Sequence, residues 1–253
     1  MRKGEIIIKT PEQIAGIARA GALTARLFDE LKGYIKPGVT TLQIDAFADR
    51  FIKKNGGKAT FKSVENYHHA TCISLNNEVV HAIPRKERVV QRGDIVKVDC
   101  GVTLDGFIGD RTMTYLMPGV SDAARRLVEV TRECLVIGIR QMLVGNRVGD
   151  IGAAIQEYAE SYGYAVVKEY VGHGTGIHLH EEPSVPHFGV RGDGVLLREG
   201  MVLAVEPMIN EKGDGCRVLP DGWTVVTEDG GLSAQFEHTI AITAQGPRIL
   251  TEV

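Results

Sequence analysis

The sequence predicts an α+β fold made of two related halves, with the helices packed on the outer face of one antiparallel or mixed sheet. Three observations carry this reading. Segments of helical period precede segments rich in β-branched residues. The same order of segments recurs at an offset of 107 residues, as Gly38 against Gly145 illustrates. Each recurrence ends on strands that carry an acid in an apolar setting, so the strands can share a sheet while the helices cover its other side.

The first helix opens at Thr10-Pro11-Glu12-Gln13, with Thr10 as N-cap, Pro11 at the first helical position and Gln13 closing a capping box. Ile14, Ile17, Leu23, Leu27 and Leu31 follow with helical spacing. After the turn "KPGVT" a second helix carries Ile44, Phe47, Phe51 and Ile52 and ends at Gly56 and Gly57. The text then repeats. Ile44 aligns with Ile151, Phe51 with Tyr158 and Gly56 with Gly163, and "SDAARRLVEVTRECLVIGIRQML" supplies the preceding helix. "QRGDIVKVD" (91–99) matches "REGMVLAVE" (198–206) without a gap, setting Gly93 on Gly200, Val98 on Val205 and Asp99 on Glu206. The expected organisation is a single domain, 1–253, with an internal repeat of roughly 10–116 and 117–253 and a pseudo-two-fold axis near Asp99 and Glu206.

"DIVKVDCGVTLDGFIGDRTMTY" reads as a hairpin. Asp99 and Asp110 lie opposite one another if the loop has four residues, or diagonally on one face if Asp105-Gly106 is a two-residue turn. Either register aims both carboxylates the same way. The second half repeats the arrangement: "MVLAVEPMIN" is an apolar strand ending in Glu206 before Pro207, and "LSAQFEHTIAIT" is a strand in which Glu237 precedes Thr239 as Asp110 precedes Thr112. Burying like charges side by side is costly unless a cation sits between them. Two divalent cations would nearly neutralise four acids.

The stretch "VGHGTGIHLHEEP" crowds His173, His178 and His180 among glycines. It lacks the lysine of a P-loop and the spacing of a dinucleotide fingerprint. Gly172 and Gly174 permit close backbone approach to something bound beside His173. One imidazole with four carboxylates is a harder set than structural zinc prefers and suits Mn, Fe(II), Co or Zn in a hydrolytic two-metal centre.

Composition narrows the partners. The chain has 253 residues, 43% hydrophobic, with a formal net charge of −3 and scattered Lys and Arg, so neither a nucleic-acid nor a membrane surface is expected. Cys72, Cys100, Cys134 and Cys216 form no CxxC pair, which fits a reducing cytoplasm. "MRKGEIIIKT" is too short in its apolar run for a signal segment or a membrane span.

Asp99, Asp110, His173, Glu206 and Glu237, in that order, with "GHGTG", "HEEP", "EP" and "SAQFEHT" around them, resemble the methionine aminopeptidases over essentially the whole chain. The resemblance implies a pita-bread fold, with a curved, mainly antiparallel sheet, and the chain length fits the type I form. It implies that Asp110 and Glu237 bridge two metal ions, that Asp99 chelates one, and that His173 and Glu206 complete the other, with Glu206 also handling a proton. His180 matches the histidine that hydrogen-bonds the scissile peptide, and His81 the one that contacts the substrate backbone or leaving nitrogen. His178 has no counterpart and is read as structural. Tyr67, Cys72 and Trp223 match the positions lining the methionine pocket. Leu179, Ala82 and Phe61 depart from the commoner residues there. The implied partner is the N-terminal methionine of nascent chains with a small second residue, met at the ribosome near the exit tunnel by a cytoplasmic monomer. The alternatives are a proline-directed peptidase of the same fold, such as prolidase or aminopeptidase P, and a catalytically inactive binding protein.

Overall fold

The computed structural model describes residues 5–252; residues 1–4, which hold the basic start, lie outside it. The first half comprises α1 (Pro11–Tyr34), α2 (Thr41–Lys54), β1 (Lys58–Ala59), a 3-10 turn (Thr60–Ser63), β2 (Cys72–Leu75), β3 (Ile95–Leu104) and β4 (Phe107–Leu116). The second comprises α3 (Asp122–Arg140), α4 (Val148–Ser161), β5 (Ala165–Val166), β6 (Gly172–Gly174), β7 (Glu181–Val185), β8 (Val202–Val205), β9 (Met208–Asn210), β10 (Cys216–Val218), β11 (Val225–Thr227), β12 (Ser233–Gln235), β13 (His238–Thr243) and β14 (Gly246–Ile249).

Local chemistry sets the helix starts. Thr10 and Gln13 exchange side-chain and backbone bonds at the head of α1, and Thr40 with Gln43 does the same on α2. The repeat holds to the residue in places. α2 and α4 keep the 107-residue offset at both ends (148 − 41 and 161 − 54). The paired glycines share left-handed backbones: φ is +94° and +97° at Gly38 and Gly145, +80° and +79° at Gly56 and Gly163, and +87° and +85° at Gly93 and Gly200. Ile44 and Ile151 are both fully buried.

Each half has its own core. Leu27, Phe28, Leu31, Ile44 and Ile52 of α1 and α2 close on Ile73, Val96 and Val98 of the first sheet. Leu127, Cys134, Ile151 and Ile155 of α3 and α4 close on Leu203, Val205 and Ile240 of the second. The ladders between these strands are antiparallel: β1 and β2 pair with one edge of β3 and β4 with the other, and the second half runs β14-β13-β8-β6-β7 with β12-β9-β5 continuing it. β8 and β9 together occupy the place of β3, and β13 and β12 that of β4.

The halves meet along β4 and the β12–β13 segment. Thr114 Oγ donates to the Gln235 carbonyl at 2.5 Å and accepts from its N–H at 3.3 Å, while Thr239 makes the same pair of bonds with Asp110 at 2.9 and 3.0 Å. Midway, the Glu237 N–H donates to the Thr112 carbonyl at 2.9 Å. The pseudo-axis therefore passes between Thr112 and Glu237, 125 residues apart. This corrects one expectation. The β4 register makes Thr112 the counterpart of Glu237 and Gln235 that of Asp110, because the second-half hairpin is lengthened by β10 and β11. Lys97 crosses the same seam, its buried ammonium donating to the Asn76 and Ser233 carbonyls at 2.9 and 2.7 Å.

On β4 the odd residues face the helices. A Cβ on Gly109 would stand 2.6 Å from the Gly21 backbone of α1, and Arg111 lies over the Phe28 ring. Gly109→Ala is therefore expected to cost about 1–3 kcal/mol through overpacking, read as a lowered urea midpoint of the metal-stripped protein. Gly33→Ala, in the same helix with nothing within 4 Å, should cost nothing or stabilise. Equal effects of the two would remove this close approach from the account.

Candidate metal centre

The β3–β4 turn decides the first two acids. Asp105 and Gly106 take φ of +51° and +83°, forming a two-residue turn of the type that matches strand twist. Asp99 thus pairs with Thr112, and Asp110 with Gly101, so the acids lie diagonally on one face.

The second pair comes from breaks. The strand expected to run through "MVLAVEPMIN" is interrupted at Glu206-Pro207, since proline offers no N–H to a ladder. The freed Glu206 N–H donates to His187 Nε2 at 3.0 Å. "LSAQFEHTIAIT", expected as one strand, also breaks, at Phe236-Glu237, where Glu237 turns its N–H across the seam to Thr112.

His173 stands at the middle of β6. Its flanking glycines were expected to admit something bound; instead they admit neighbouring strands. A Cβ on Gly172 would meet the Ala204 carbonyl at 2.3 Å, and one on Gly174 the Glu182 carbonyl at 2.3 Å. The ring's Nδ1 lies 2.9 Å from the Gly174 carbonyl, which fixes the proton there and leaves Nε2 with its lone pair.

All ten candidate residues, Tyr67, Cys72, His81, Asp99, Asp110, His173, His180, Glu206, Trp223 and Glu237, line one cavity of about 350 Å³. Ligand atoms of Asp110, His173 and Glu237 lie within 4.8 Å of one another, and Glu206 Oε1 is 3.5 Å from His173 Nε2. Asp110 and Glu237 are each only 3% exposed. Thr112 Oγ donates to Glu237 at 2.8 Å, and Gln235 Nε2 to Glu206 at 3.1 Å. Asp99 Oδ1 and Asp110 Oδ1 are buried with no hydrogen-bond partner. Oxygens so placed fit a divalent cation.

Electrostatics agree. Burial raises all four carboxyls, Asp110 to about 7; at Asp99 the nearby Asp110 adds to it, at Glu206 both aspartates, and at Glu237 Asp110 and then Glu206. Burial, then the neighbouring His180, lowers His173 to about 4, so its imidazole is neutral and available.

His180 is exposed at the mouth, its ring 4.5 Å from that of His173. The His178 ring is exposed too, but its backbone shapes the turn, donating to Glu181 Oε1 and accepting from Gly176. Phe61 and Leu179 line the cavity, and Ala82, next to the lining residue His81, is buried. Sequence reasoning missed Tyr170, edge-on to His81 at 5.6 Å, as well as Met208 and the fully buried His187. Met208 had a signal, two residues past Glu206 in an apolar run; a lone histidine in "VPHFG" had none.

The profile of metallopeptidase family M24 matches residues 15–244. The chain is 46% identical to methionine aminopeptidase 1 of Bacillus subtilis (strain 168), covering 98% of this chain and 100% of that one. The chain belongs to family M24, among the methionine aminopeptidases. A crystal structure of methionine aminopeptidase from Thermotoga maritima superposes with a TM-score of 0.96 at 44% identity, over 98% of this chain and 100% of that one. A prolidase from Pyrococcus furiosus matches with a TM-score of 0.77 at 24% identity, over 98% of this chain and 66% of that one, and so shares the fold. As an M24 member the protein is a metal-dependent peptide hydrolase.

Metal uptake by this metallopeptidase should be proton-linked. The Asp110 proton is held up to about pH 7 in the folded, metal-free chain but only to about 4 when unfolded. Its contribution to metal-free stability is therefore full below about pH 4 and lost as pH rises through about 7, while metal competes better as protons leave. The Tm difference between Mn-loaded and metal-stripped protein should widen from pH 5 to about pH 7.5; a constant difference would refute proton-linked ligation.

Proposed function

We propose that this metallopeptidase hydrolyses the first peptide bond of nascent proteins, removing the initiator methionine where the second residue is small. The observation that carries the reading is the joining, in one cavity, of the acid and imidazole set with an apolar wall of Phe61, Tyr67, Cys72, Leu179 and Trp223. A thioether side chain is polarisable and unbranched, and aromatic edges with a buried thiol suit it.

Asp110 and Glu237 would each hold two divalent ions in common, Asp99 one of them, and His173 with Glu206 the other. When bound, Mn, Fe(II), Co or Zn supplies a Lewis acid and an acidified water at neutral pH. Glu206, its carboxyl raised by burial and the two aspartates, takes a proton from the attacking water and delivers it to the leaving nitrogen. His180, at the mouth beside His173, donates a hydrogen bond to the scissile carbonyl. His81 is kept neutral, near 4, by burial and then by His180, and its ring is free to contact the substrate backbone. Its left-handed backbone, φ +59°, is an unusual conformation for histidine.

The proposal extends to one catalytic domain over 1–253, acting as a cytoplasmic monomer on chains leaving the ribosome near the exit tunnel. Four buried free thiols suit a reducing compartment, and no helix among the described residues is long and apolar enough to cross a membrane.

Metal-stripped protein should release no methionine from Met-Ala-Ser and regain release on addition of Mn, Fe(II), Co or Zn. Release of alanine from Ala-Pro-Ser instead would move the activity to the proline-directed branch. His180→Ala should lower kcat roughly 10²–10⁴-fold with metal content unchanged; loss of metal in that variant would make His180 structural.

A further inference from the structure

The only tryptophan of the chain lies in the turn between β10 and β11, and that turn closes on a single carboxylate. Asp221 Oδ1 accepts from the N–H groups of Trp223 and Thr224 at 3.0 and 2.8 Å, and Oδ2 accepts from Thr224 Oγ at 2.7 Å. The Arg85 guanidinium pairs with the same Oδ2. Burial acts to raise the Asp221 carboxyl, but the Thr224 and Trp223 bonds together with Arg85 hold it below the ordinary range.

Arg85 is a fixed point because of its backbone. Its N–H donates to Thr41 Oγ at 2.8 Å, and its carbonyl accepts from Thr41 Oγ at 3.0 Å and from the Leu42 N–H at 3.3 Å, all at the head of α2. Two residues before it, Ile83 packs with Trp223, Tyr67 and Cys72 in one apolar cluster, where the Tyr67 and Trp223 rings meet edge-on at 4.9 Å. β11 has its own anchor, since Val79 N–H donates to Val225 and Val225 N–H to Val80 at 2.7 and 3.1 Å. The strand is thus held without Arg85, and the turn closes on itself through the Leu219 N–H to Thr224 carbonyl bond at 2.8 Å; what the Arg85 pair adds is the tie between that turn and the segment fixed at the head of α2.

We propose that Arg85 is a positioning residue for substrate selection: its ion pair with Asp221 sets how closely the Trp223 turn closes the pocket for the first side chain. The inference rests on the methionine-removing reading above. Nothing in the metal centre touches Arg85, so the effect falls on binding rather than on chemistry. The Arg85 side chain is 45% exposed, which limits the effect to the roughly two- to fivefold range of a solvated ion pair.

The test uses metal-loaded protein and the variants Arg85→Ala and Arg85→Lys. Because Trp223 is the sole indole, its emission reports the turn directly. Arg85→Ala should shift that emission to the red, raise acrylamide quenching, raise KM for Met-Ala-Ser about two- to fivefold and weaken the preference for Met over Leu, with kcat within about twofold. Arg85→Lys should restore most of each. Unchanged quenching, or changed quenching with KM and selectivity unchanged, overturns the proposal. A wild-type protein that releases no methionine with any metal sinks the function and the selectivity role with it, whereas an active wild type indistinguishable from Arg85→Ala sinks the positioning role of Arg85 alone.

Discussion

Four carboxylates buried at one seam are the constraint from which the rest of the molecule follows. Two like charges 4 Å apart repel by about 4 kcal/mol even at an effective dielectric of 20, so the four cannot all ionise there unaided. Among the described residues no Lys or Arg pairs with Asp99, Asp110, Glu206 or Glu237; the nearest partner of basic type is His173, which burial keeps neutral. Lys97, two residues from Asp99 on β3, spends its charge on carbonyls of both halves and is itself pushed down to about 7 by burial. Relief comes from protons, which burial holds on these carboxyls, or from a bound cation that displaces them, and the unpartnered oxygens of Asp99 and Asp110 are where a cation would attach.

Such a cluster needs a stiff frame, and duplication provides one. Thr114 and Thr239 occupy equivalent places and make equivalent bonds, each bracing the other half's strand at Gln235 or Asp110. The symmetry stops at the side chains that carry chemistry. Where the first half has Thr112, the second has Glu237, and the two are hydrogen-bonded to each other. Where the first has Asp110, the second has Gln235, which donates to Glu206 instead of adding a fifth acid. A symmetric scaffold thus holds an asymmetric set, and one hydroxyl and one amide limit the charge that burial must tolerate.

Much of this was readable before the fold was known, because the signals were of kinds that survive in one dimension. Capping boxes, the 107-residue offset and acids in β-branched runs are local patterns with direct physical causes, and they placed α1, α2, the β3–β4 hairpin and the four acids, while His173 was singled out by the glycines around it. The strand breaks at Glu206-Pro207 and Phe236-Glu237 were less visible. Apolar composition continues through both, and only the loss of ladder partners marks them. The glycines beside His173 misled for a related reason: a position that tolerates no Cβ looks the same whether a ligand or a neighbouring strand fills the space. His187 and Tyr170 carried no pattern at all, since they matter only through contacts made in three dimensions.

The fold itself decides less than the walls around the centre. The prolidase from Pyrococcus furiosus shares this architecture at 24% identity, and one scaffold commonly hosts several activities. In this chain the second half carries the β10–β11 hairpin where the first half has a two-residue turn, so that one half's elaboration closes over the other half's Tyr67 and Cys72. The four acids and His173 sit on strands of the duplicated core or at their breaks. Of the side chains proposed to line the methionine pocket, Trp223 hangs on a turn fixed by part-buried Asp221 bonds and one exposed ion pair, whereas Cys72 stands opposite Asp99 in the β2–β3 ladder. On the proposed reading, a change in the turn can therefore alter selectivity while the acids stay as they are, because the turn lies outside the strands that carry them.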